Sequence, residues 1–399
     1  MNHITANSFL TSTSTSCIGD DPEPTLIYFV PGNPGLISYY HTYLSLLSLN
    51  LSPNANNGAS DCGIHSANTS GGDDIRQFII HGKSMGGFEI IENEKYLSSS
   101  SSSLTSAGPK SNEGMDDEAQ SQPQYLSTAT KLHSLSEQIE HMERNLYDFV
   151  DACHAKRERE QAKKKVNDAQ GEHQGRCIKL ILIGHSVGAY IVMEILRRHE
   201  QKKPFATKGG GKVDIIGGIL LFPTVIDIAK SSSGRKLNRL LYIPYLAFLT
   251  SVLVKFLVLL LPESWLRRVV SMVLGSPPGN AIDATLGFLK SRRGVEQAIH
   301  MAADEMREIT SDKWSDEIWG IASEASAVAP TAASTTTSTP TKGPLNLVLY
   351  FAQQDHWVAN QTRDEIIRAR GGMEDSNGRN GPRMQVCEDG VVHGFCICE

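Results

Sequence analysis

Short apolar runs separated by polar tracts set the rhythm of this chain. Residues 26–30 (LIYFV), 78–80, 178–183 (IKLILI), 215–222 (IIGGILLF) and 345–351 (LNLVLYF) read as buried strands, with 384–386 as the last. Helical patterns alternate with them. Leu135, Ile139, Met142, Leu146 and Phe149 recur at three- and four-residue steps through 135–153, and the segments 187–198 and 360–370 each come after a strand. Continuous apolar strands alternating with helices predict an α/β architecture: a mostly parallel sheet with helices on both faces.

The polar tracts predict where that architecture is interrupted. Residues 52–74, 98–124, 157–175, 201–212 and 323–341 are rich in Ser, Asn, Gly, Thr or charge. They bury too little apolar surface to offset ordering entropy, so they read as surface insertions or disordered loops. The opening MNHITANSFLTSTSTSC lacks a charged start followed by an apolar run, so it is not a secretory signal, and residues 1–22 read as a disordered Ser/Thr tail before a single domain over 23–399.

One stretch breaks the rhythm. Residues 240–261 (LLYIPYLAFLTSVLVKFLVLLL) carry a single charge, Lys255, and are long enough to cross a bilayer. A single crossing would part residues 186 and before from everything after 261. A second crossing would have to be 263–274, which is short and holds Arg267 and Arg268. Residues 236–275 therefore read as an apolar cap or hairpin: re-entrant, interfacial or buried. Arg235, Lys236, Arg239, Arg267, Arg268 and Trp265 at its ends favour contact with a membrane or droplet surface.

The 399 residues include 38 Lys+Arg and 44 Asp+Glu, a net charge of −6, which does not describe a nucleic-acid binder held by its overall field. Seven cysteines without paired CxxC units point away from a structural zinc site or a disulfide framework, and to a reducing compartment.

Candidate chemistry centres on Gly184-His185-Ser186-Val187-Gly188, a G-x-S-x-G between the apolar run 178–183 and a helical pattern. A turn that tight from strand to helix tolerates little beyond glycine at its flanks. It holds the serine clear of the sheet beside the helix amino end. Ser186 is the candidate nucleophile, and His185 reads as a packing residue. A second G-x-S-x-G, at 82–86, has only a weak helix behind it and reads as a polar loop around Ser84. Serine needs a base, and His393, after the last strand, suits the chain order in which histidine comes last. The acid should leave a strand end between the two. Asp355 does so, with Asp227 second and Asp389 third. For an oxyanion, Val187 N–H is one donor, and the Pro- and Gly-rich loop Pro31-Gly32-Asn33-Pro34-Gly35 offers Gly32 or Asn33 as the other.

PGNPG followed by Tyr39 and Tyr40, GHSVGAYI at 184–191, LFPT at 221–224, DHWV at 355–358 and HGF at 393–395 together resemble the lipid-droplet-associated hydrolase family. The resemblance implies an α/β-hydrolase fold with Ser186 as nucleophile, Asp355 as acid and His393 as base. It implies ester hydrolysis on lipid droplets and the cytosolic face of the endoplasmic reticulum, with sterol esters as a proposed substrate. This chain departs from the family in its long insertions and in the six residues after His393, where the family continues into a terminal helix. No metal or organic cofactor is implied. The expected partners are a lipid ester and, through 240–261, a lipid surface. Two other functions remain in play: a catalytically weak scaffold that coats droplets, and acyl transfer to an alcohol by the same triad.

Overall fold

Strand β3 (Thr25–Val30) is buried at all six positions, so both of its faces are covered, as a parallel strand inside a sandwich of helices must be. The computed structural model describes residues 2–13, 24–52, 77–90, 131–165, 177–202, 212–275, 277–321, 345–375 and 378–397. Around β3 run β1 (His3–Thr5), β2 (Ser8–Ser12), β4 (Phe78–Lys83), β5 (Cys177–His185), β6 (Lys212–Leu221), β7 (Asn346–Phe351) and, after the small pair β8 (Met373–Asp375) and β9 (Gly378–Asn380), β10 (Arg383–Val386). They form an eight-stranded sheet of order β1-β2-β4-β3-β5-β6-β7-β10. From β4 to β10 every neighbour is parallel, and β2 joins β4 antiparallel.

Two expectations are corrected here. Residues 2–13, assigned above to a disordered tail, form β1 and β2 at the sheet edge. Phe9 and Thr11 are buried while their neighbours are not, the alternation of a half-buried strand in a stretch with few apolar residues. The charged tract at 157–175 is not loop throughout. Helix α2 (Leu135–Lys165) continues through its first nine residues, because Lys, Arg, Glu, Gln and Ala favour helix. The tracts at 98–124 and 323–341, and most of those at 52–74, 157–175 and 201–212, lie outside the described residues.

The buried face of α2 carries Leu135, Ile139, Met142, Leu146 and Phe149, as its spacing predicts. It packs on α3 (Val187–Gln201), which lies against β3, β5 and β6. Helix α1 (His41–Asn50) covers β2 and β4, and α9 (Asn360–Arg370) follows β7.

Between β6 and β7 the chain builds a helical layer: α4 (Ser232–Leu240), α5 (Leu246–Leu260), α6 (Glu263–Leu274), α7 (Gly279–Lys290) and α8 (Gly294–Glu308). The long apolar stretch is broken by a turn before α5 and by Pro262 after it. Among the described residues no helix is long and apolar enough to cross a membrane. Leu266, Val270 and Leu286 form a small core of their own, separate from the main one. The other faces of α5 and α6 are apolar and open. Leu259 is 84% exposed and Met272 81%, with Phe248, Leu253, Phe256, Trp265 and Val273 also exposed.

Candidate active site

Ser186 joins β5 to α3 at φ 55° and ψ −125°, a backbone region that a residue with a Cβ occupies only when its surroundings compel it. The flanking glycines are that compulsion. A Cβ on Gly184 would stand 2.4 Å from the Gly188 carbonyl oxygen, and one on Gly188 would stand 2.3 Å from that of Val30. The turn thus presses β5, α3 and the end of β3 together, and it leaves the serine side chain at the carboxyl end of the sheet.

Three stretches of chain converge there. His393 Nε2 lies 2.9 Å from Ser186 Oγ, and His393 Nδ1 lies 2.8 Å from Asp355 Oδ2. Asp355 follows β7, and its Oδ1 accepts from Trp357 N–H at 2.7 Å and Val358 N–H at 3.1 Å. The carboxylate is therefore aimed by the backbone of its own turn. It does not cap α9, whose N-cap is Ala359. The side chain of Asp355 is only 4% exposed, so little water competes for the imidazole. The other acids are elsewhere: Asp227 pairs with Lys230, and Asp389 is exposed.

The loop after β3 lies against the elbow. Gly32 N–H donates to Tyr40 Oη at 2.9 Å, so of the expected pair only Asn33 N–H is left uncommitted among the described residues. Neither Asn33 N–H nor Val187 N–H meets an acceptor among the described residues. The decoy serine serves this loop: Ser84 Oγ accepts from Ile37 N–H and Met85 N–H donates to the Gly35 carbonyl, with Ser84 itself buried.

His185 does more than pack. Its Nε2 lies 2.9 Å from the His393 carbonyl, which can only accept, so Nε2 carries the proton. Nδ1, 2.7 Å from Tyr40 Oη, then accepts from that hydroxyl. Burial, then the neighbouring His393, pushes the His185 ring down to about 3, and burial holds the Tyr40 phenol well above its ordinary value. Both stay neutral at any working pH, and the direction of the chain Gly32–Tyr40–His185–His393 is set. Phe395, in the short turn Phe395–Ile397, stacks edge-on to His185 and Tyr43 and packs near Phe222. That cluster seats His393. Sequence reading gave Tyr40 and Phe395 no role, and the only signal was their place within the PGNPG-YY and HGF segments.

A profile described as "Lipid-droplet associated hydrolase" matches residues 23–396. A chicken protein named "Lipid droplet-associated hydrolase" is 25% identical over 224 residues, 55% of this chain and 54% of the relative. A human protein of the same name is 32% identical over 82 residues, 20% of this chain and 22% of the relative. The chain thus spans about half the length of the chicken relative and less of the human one. Among solved structures, a soluble variant of monoglyceride lipase from Saccharomyces cerevisiae is 12% identical, with a TM-score of 0.38, covering 100% of this chain and 88% of that one. A thermophilic esterase from Thermogutta terrifontis is 12% identical with a TM-score of 0.39, covering 97% and 86%.

Proposed function

Because this chain belongs to the lipid-droplet-associated hydrolase family, we propose that it is a serine ester hydrolase working on lipid esters at a droplet surface. The observation that carries this reading is the single imidazole bridging Ser186 and Asp355. Ser186 Oγ attacks the ester carbonyl while its proton passes to His393 Nε2. Asp355 holds the ring in the tautomer with Nδ1 protonated and steadies the imidazolium. The oxyanion is held by the N–H groups of Val187 and Asn33. Collapse expels the alcohol, which takes the proton from His393. Water, deprotonated by the same ring, then attacks the acyl-enzyme and frees the acid and Ser186. These steps run on the side chains and backbone named here.

A fluorophosphonate probe tests it. Wild-type protein labels at Ser186, and Ser186→Ala loses the label and, by about 10⁴-fold or more, turnover of a soluble p-nitrophenyl ester. Full labelling of the alanine variant would end the proposal. Product analysis with and without an added alcohol separates hydrolysis from acyl transfer, and a panel of sterol and glycerol esters tests the narrower assignment to sterol esters.

The lipid surface is met by the open apolar faces of α5 and α6. A patch of that kind exceeds what soluble proteins usually leave bare. Arg235, Lys236, Arg239 and Arg268 fringe it, suited to phospholipid headgroups of a droplet monolayer or of the cytosolic leaflet of the endoplasmic reticulum. This face needs no triad, which also favours a second reading in which the protein coats droplets without significant turnover. Ser186→Ala that still reaches droplets, beside wild type with no turnover of any ester, would select that second reading.

A further inference from the structure

The loop that carries Asn33 is anchored from across the site by α8. Asn33 Nδ2 donates to the Ala298 carbonyl at 3.0 Å and to Glu305 Oε1 at 2.9 Å. Those two bonds use both amide hydrogens. Asn33 Oδ1 is buried and meets no donor among the described residues. Turning the amide over does not help, because the Ala298 carbonyl requires an N–H. Glu305, 5% exposed, already meets this amide through Oε1, and its carboxyl carries a donor only with a proton on it.

We propose that Glu305 is a positioning residue that acts as a neutral carboxylic acid: it donates its O–H to Asn33 Oδ1 while accepting from Nδ2, and so fixes the Asn33 main-chain N–H toward the substrate oxygen. The proposal deepens the reading of Ser186 as nucleophile and rests on it.

The surroundings favour the neutral form. Burial raises the Glu305 carboxyl to about 8, the Asn33 contact lowers it in part, and the adjacent Asp304 raises it again. Among the described residues no cation pairs with Glu305. The charged groups around it have other partners. Asp304 takes Arg307, His300 and, from α2, the Leu135 N–H. On the segment entering α2, His133 meets Gln297 through its backbone. Asp227 and Lys230, on the turn packed against α8, pair with each other, and Arg235 of α4 reaches the Lys230 carbonyl. Lys290 of α7 pairs with Glu263, and Lys255 of α5 donates to the Arg292 carbonyl. Glu308, one turn on, adds no cation. Ionised Glu305 would offer Oδ1 no donor and would set a buried charge against the loop.

The test is the pH dependence of Ser186 phosphonylation in wild type and Glu305→Gln, each normalised to its own rate near neutrality. Wild type should fall on the order of tenfold between about pH 7.5 and about pH 9.5. Glu305→Gln, whose amide can present one donor and one acceptor without titrating, should lose that fall. An alkaline fall shared by the glutamine variant, or its absence in wild type, overturns the proposal. Infrared spectra of Ser186→Ala provide the readout that needs no activity. A protonated-carboxyl band should fade above about pH 8 and be missing from the double variant Ser186→Ala, Glu305→Gln. Failure of wild type to label at any pH counts against the hydrolase reading. Absence of the band counts against Glu305 itself.

Discussion

Tyr40 shows how much one buried hydroxyl can hold. It accepts from Gly32 N–H and donates to His185 Nδ1, and His185 in turn grips the carbonyl of His393. Replacing it by phenylalanine leaves a buried donor and a buried acceptor without partners while keeping the ring. Tyr40→Phe should therefore lose about 1–3 kcal/mol of stability. On the proposed reading it should also slow Ser186 labelling, because Gly32 and, through His185, the His393 backbone both depend on that hydroxyl. Chemical denaturation and probe kinetics measure the two effects, and a variant unchanged in both would show that the chain of hydrogen bonds carries nothing.

Among the elements, α5 and α6 stand apart because much of their hydrophobicity is not used for folding. One side joins the small core at Leu266, Val270 and Leu286, and the rest points outward. Leu253→Asp with Phe256→Asp should then leave the melting temperature within a few degrees of wild type, each exposed substitution being worth about 0.5 kcal/mol or less. The pair should still abolish flotation with artificial droplets. Retained flotation would move the lipid contact elsewhere. Element by element, the apolar runs located β3 to β7 and β10 within a few residues, because strands buried on both faces have an unbroken apolar pattern. β1 and β2 escaped because a half-buried edge strand needs only Phe9 and Thr11 inward. The second half of α2 escaped because its helix-forming residues are also the charged ones. At the site, glycine spacing marked Ser186, and strand ends marked Asp355 and His393. Tyr40, Phe395 and Glu305 were not legible, since their partners lie far away in sequence and no local pattern encodes them.

At the scale of the whole molecule, several buried or half-buried histidines make stability depend on pH. Burial lowers His81 and His141 from 6.5 to about 4 and His185 to about 3, and it lowers His41 as well. The folded protein keeps these rings neutral while the unfolded chain protonates them below about 6.5. Their contribution is thus present above 6.5 and lost as pH falls toward 4, by up to about 1.4 kcal/mol per pH unit for each ring. Glu305 works the other way. Its folded value is raised from 4.5 to about 8, so its contribution is lost as pH rises through that window. The histidines outnumber it, so the melting temperature should peak near pH 6.5, drop steeply toward pH 4 and decline gently to pH 8. Calorimetry across that range would refute this with a flat profile on the acid side.

Ser186 and His393 are 207 residues apart. A ribosome making this chain finishes the elbow long before residue 393 is added, and through that interval Ser186 has no imidazole beside it. The greasy helices, by contrast, leave the ribosome while Ser186 still lacks that ring. On the proposed reading, the molecule can therefore settle on fat during its own synthesis and gain its imidazole base only after β10 has emerged.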